Sequence, residues 1–100
     1  MKLRRTRLSL DQAEEIAIHG LSFLAGNRDR LGRFLSLTGI GPGELQRALG
    51  DPNILAAVLE YILGDEPLLL ELSANRNLPP DDIVLAWDLL TLEAAGRGRT

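Results

Sequence analysis

Two stretches of the chain match at a constant offset of 38 residues, with no gap. Phe23-Leu24-Ala25-Gly26-Asn27 answers to Tyr61-Ile62-Leu63-Gly64-Asp65. Leu31 answers to Leu69, and Phe34 to Leu72. Ile40-Gly41-Pro42-Gly43-Glu44-Leu45 answers to Leu78-Pro79-Pro80-Asp81-Asp82-Ile83, and Ala48 to Ala86. The paired residues are alike where they would set core, cap and turn. The pattern therefore reads as a duplicated helical unit. It constrains the architecture and says nothing of an activity.

Dense helix punctuation supports the same reading. Ser9-Leu10-Asp11-Gln12 has the form of a capping box, in which the Ser hydroxyl accepts from a first-turn amide and the Gln reaches back. A helix over about 10–25 follows, with Ala13, Ile16, Ala17, Gly20 and Leu24 on one face. Gly26 is expected to end it in the left-handed conformation, and Asn27 to cap a second helix, 28–37. Leu31, Phe34, Leu35 and Leu37 are its expected inner residues. Pro42 suits the first position of a third helix, 42–49, because its missing N–H has no partner there in any case. Asp51-Pro52 starts a fourth helix, 52–63, with Leu55, Val58, Leu59 and Ile62 inward. Asp65-Glu66-Pro67 starts a fifth, 66–75, and Pro79-Pro80 a sixth, 80–94, through Ile83, Trp87 and Leu90. No stretch alternates polar and apolar residues between turn signals, so no strand is expected. The expectation is an all-α, compact bundle of six short helices in two similar three-helix units packed on each other. Residues 1–9 form a basic tail, 10–95 the helical domain and 96–100 a second tail.

One hundred residues suffice for one domain with its own core. There is no cysteine, which excludes disulfides, thiol catalysis and cysteine-ligated zinc. No apolar run approaches the roughly 20 residues of a membrane span. The basic start runs into an acidic amphipathic stretch, not the unbroken apolar segment of a secretory signal. A cytoplasmic setting is expected.

The net charge of −3 is unevenly spread. Lys2, Arg4, Arg5, Arg7, Arg97 and Arg99 place six of the eleven cations on the tails. Between residues 48 and 95 nine acids face a single cation, Arg76. That half should repel nucleic acid and anionic lipid and attract a basic surface. The bland alternative is a solvated acidic surface. The fifth and sixth helices are apolar on nearly all sides, which fits a central position or an outer face shared with a partner or a second copy.

The run Phe23-Leu24-Ala25, Leu31-Gly32-Arg33-Phe34-Leu35, Leu37-Thr38-Gly39, Gly50-Asp51-Pro52 and Leu55-Ala56-Ala57-Val58-Leu59 resembles a family of short bacterial proteins. That family is domain of unknown function 3572, found mainly in alphaproteobacteria. The resemblance covers about residues 12–90 and rests on caps, glycines and core leucines. It implies an all-helical fold and a cytosolic bacterial setting, and brings no activity, cofactor or functional residue.

Leu37-Thr38-Gly39-Ile40-Gly41-Pro42 looks like the hairpin of helix-hairpin-helix DNA-binding motifs. In such a turn Gly39, Ile40 and Gly41 would point backbone amides at a phosphate, with Arg33 and Arg47 as counter-charge. Glu44 falls in the first turn of the next helix, where it serves as a substitute anion for the dipole. A structural turn is preferred and nucleic acid is disfavoured. His19 has no companion ligands at metal-binding spacing, and Glu15 lies one helical turn away, so a surface ion pair or a partly buried imidazole is expected. Asp29 and Arg33 have the spacing of a second pair. The serines carry no nucleophile motif, and the paired acids Asp65-Glu66 and Asp81-Asp82 suit helix caps. Trp87 reads as core before it reads as an interaction hot spot.

The sequence thus points to a non-enzymatic protein-interaction or regulatory module without a cofactor, alone or as a homodimer. Leu68, Glu71, Asp81, Asp82, Trp87 and Asp88 form its candidate partner surface. Nucleic-acid binding through the Gly39–Gly41 turn is the alternative.

Overall fold

A computed structural model of the chain describes residues 8–97. Its elements are α1 (Leu10–Ala25), α2 (Arg28–Thr38), α3 (Pro42–Gln46), a 3-10 turn (Ala48–Gly50), α4 (Pro52–Leu63), α5 (Glu66–Arg76) and α6 (Pro80–Arg97). No strand occurs among the described residues. The all-α class stands. Most of the 1–9 tail lies outside the described residues, as does the end of the second.

The caps explain the boundaries. At Ser9 both halves of the capping box form: Gln12 N–H donates to Ser9 Oγ at 3.0 Å, and Ser9 N–H to Gln12 Oε1 at 2.9 Å. Asn27 accepts from Arg30 N–H, and Asp65 from Leu68 N–H. Pro42, Pro52 and Pro80 each open their helix.

Beyond one-residue extensions of α2 and α5, three features of the helix ends differ from expectation. Gly26 is right-handed at φ −71°, not left-handed, because the chain enters the extended cap at Asn27 (φ −135°) directly. The expected helix 42–49 divides into α3 and the 3-10 turn, hinged at Arg47 (φ −95°, ψ 7°). Gly43 weakens it from within. Only Ala48 is fully buried, and α3 contributes a half-buried Leu45 against the core. Finally, α6 continues to Arg97, since no breaker stronger than Gly96 follows Leu92.

One cluster forms the core. The five residues expected inside on α1 are all buried. They meet Leu55, Val58, Leu59 and Ile62 of α4 and Ile83, Ala86 and Leu90 of α6, with Phe34 and Leu72 closing the ends. α4 is the hub, packing against α1, α5 and α6, and α6 lies against both α1 and α4. A Cβ built on Gly20 would stand 3.0 Å from Ile62 Cδ1 and 3.3 Å from Val58 Cγ1, so α1 and α4 approach closely there. The Cα radius of gyration, 13.4 Å, is that of a folded chain of this length, about 13 Å.

Leu37, expected inside, is 71% exposed; Phe34 and the half-buried Leu35 already fill the inner side of α2. Trp87 packs half-buried against the core.

The 38-residue match is seen in local geometry. Shifted by that offset, the bounds of α2 become those of α5, α1 ends where α4 ends, and α3 starts where α6 starts. The likeness stops at the third element. α6 packs mainly on α1 and α4, whereas α3 packs chiefly on the turn that follows it. The chain therefore does not adopt two like three-helix units packed on one another.

Candidate functional site

The Gly39–Gly41 turn is built by α2 ending in a left-handed residue, Gly39 at φ +74°. Its amides have acceptors within the turn. Gly39 N–H donates to Leu35 O at 3.0 Å, Ile40 N–H to Thr38 Oγ1 at 3.4 Å, and Gly41 N–H to Glu44 Oε1 at 2.9 Å. The Thr38 hydroxyl in turn donates to Phe34 O at 2.7 Å. A phosphate would have to displace these bonds and face the Glu44 carboxylate. The helix beyond it, α3, has five residues.

Of the two arginines expected to assist, Arg33 lines a groove between α2 and α4. Arg30 stacks over Phe23, 5.1 Å from the ring centroid, and pairs with Glu71 at 2.6 Å. Asp29 and Arg33 form no ion pair, contrary to their spacing. His19 stands 3.9 Å from Glu15, one turn away, as expected.

The α2–α4 groove encloses about 610 Å³. Its lining includes Ala57, Glu60, Tyr61 and Gly64 on one side and Arg33 and the exposed Leu37 of α2 on the other. The Tyr61 ring is held edge-on to buried Phe34, centroids 5.3 Å apart. The groove offers one guanidinium, two carboxylates, one threonine hydroxyl and one phenol. The Thr38 hydroxyl donates to Phe34 O and the Asp65 carboxylate accepts from Leu68 N–H. Among the described residues no three His, Asp or Glu side chains gather as a metal site.

The candidate partner surface is only partly brought together. Leu68 is 7% exposed and belongs to the core, because it shares the inner side of α5 with buried Leu72, four residues on; it is not a surface residue. Glu71 is exposed but tied to Arg30. Asp82 and Trp87 are half-buried, and the buried Trp87 indole N–H has no hydrogen-bond acceptor among the described residues. Asp81 and Asp88 point outward from α6. Two residues not foreseen join them: Val84, 46% exposed, and Leu92, 68% exposed. Spacings of three, seven and eleven from Asp81 put all four on one line of the helix. The opposite side of α6 carries buried Ile83, Ala86 and Leu90. The pattern was legible once that inner side was known, since Asp81 and Asp88 cannot share it.

No described helix is long and apolar enough to cross a membrane. Fold and surface define a small all-α domain with one outward acid–apolar helix face and an open groove. Over residues 10–92 the chain matches the family described as Protein of unknown function (DUF3572), and it belongs to that family. No curated protein and no solved structure matches it.

Proposed function

We propose that this chain is a non-enzymatic protein-interaction module, and that the outward line of α6 is its contact surface. The observation that carries this is the alternation Asp81, Val84, Asp88, Leu92 on one exposed helix face. Two exposed aliphatic side chains supply apolar area, and two carboxylates select by charge. A self-complementary pairing of this face would set acid against acid, so a basic partner fits better than a second copy. The helix beneath is rigid, because its other side is in the core. The nucleic-acid alternative loses its three turn amides to internal acceptors.

Photo-crosslinking in cells tests the reading. A photoreactive residue at Val84 should trap a discrete protein partner, and Asp81→Lys with Asp88→Lys should abolish the adduct while circular dichroism stays helical. An equal yield from a control position at Ala74, or no effect of the charge reversal, sinks it.

A further inference from the structure

The outward face of α6 has a complement within the same chain. Residues 1–7, Met-Lys-Leu-Arg-Arg-Thr-Arg, carry four cations, one leucine and no acid. They lie outside the described residues. Asp81, Val84, Asp88 and Leu92 present two exposed carboxylates and two exposed aliphatic groups. Cation matches carboxylate, and leucine matches valine or leucine.

The point where the described chain begins favours the match. Leu8 is half-buried against the core and leads into α1, and α1 packs along α6. Seven residues span at most about 25 Å. Asp81 to Leu92 covers about 16 Å at the rise of an α-helix. We infer that residues 1–7 are an internal ligand of the α6 face, which partner proteins must displace. The inference rests on the reading of that face as a contact surface.

Weak intrinsic affinity is enough. A short tether gives an effective concentration on the order of 1 mM. A free-peptide Kd of about 1 mM therefore leaves the face about half covered and lowers partner affinity about twofold. Because the attraction is between exposed charges, salt releases it. Asp11, Glu14 and Glu15 of α1 are the rival acceptors, nearer in sequence to the four cations.

The test compares amide-resolved NMR spectra of the full chain and of a chain lacking residues 2–7. Deletion should shift the signals of Asp81, Val84, Asp88 and Leu92. A synthetic peptide of residues 1–9, added to the shortened chain at low salt, should move them back. High salt, or Asp81→Lys with Asp88→Lys, should remove the response. Signals that stay in place on deletion overturn the inference, as does a response confined to Asp11, Glu14 and Glu15. The two readings fail separately. If the adduct at Val84 persists but its yield does not rise about twofold on deletion, the internal ligand alone is lost. If the adduct is absent from both chains, the contact surface itself is lost.

Discussion

The helix pairs α1–α2 and α4–α5 are alike where backbone chemistry decides and unlike where packing does. Both pairs are joined through a right-handed glycine and an Asx cap, Gly26-Asn27 and Gly64-Asp65. Both end on a left-handed residue, Gly39 at φ +74° and Asn77 at φ +53°. Beyond those caps they part. α6 runs 18 residues across two helices, while α3 stops after five. At the crossing of α1 and α4 the offset sets Gly20 against Val58, a void against a bulky residue. A repeated sequence motif therefore fixes turns well. It does not oblige the third helix to find the same neighbours, because only one helix can occupy the space against both α1 and α4.

The comparison can be broken most directly at its point of divergence. Ile83→Ala should cost about 2–5 kcal/mol in denaturant unfolding, as expected for a fully buried side chain. The offset-equivalent Leu45→Ala, at a side chain that is only half-buried against the core, should cost about half as much or less. Equal costs would mean that α3 and α6 carry equivalent packing after all.

A smaller effect is expected at the helix crossing. Gly20→Val should destabilise by about 1–3 kcal/mol through overpacking against Ile62 and Val58. Adding Val58→Ala should recover part of the loss, a positive coupling readable in a double-mutant cycle. Absence of coupling would show that the two helices separate there instead of interlocking.

The smallest expected effect sharpens the likeness of the caps. Gly39→Ala should cost about 1–2 kcal/mol, since a Cβ disfavours positive φ. Space is not the cause, as nothing lies within 4 Å of the added atom. Asn77→Gly should be neutral or slightly stabilising, because both residues accept the left-handed conformation. Thermal melts of the two variants check both signs.

Most of the fold was legible before any coordinates. Ala13, Ile16, Ala17, Gly20 and Leu24 lie inside because a 3.6-residue period leaves them no other common face. The misread residues share a cause. Leu37 and Leu68 are apolar residues on helices with apolar side chains in more than one direction, so periodicity does not choose the buried side. The Arg30–Glu71 pair was not foreseen, because its partners lie 41 residues apart. Of the candidate surface, Asp81 and Asp88 stand outward as expected. The groove beside Tyr61 was not visible, since its two walls come from helices whose relative approach the sequence does not encode.

What the sequence determined by itself was local: the helices, most of their ends and the all-α class. Caps, prolines and glycines act within three or four residues, so their effect can be read along the chain. What only the tertiary structure decided was which sides of α5 and α6 face outward and which third helix enters the core. Those outcomes depend on competition for the same buried volume among segments far apart in sequence, and close packing admits one winner.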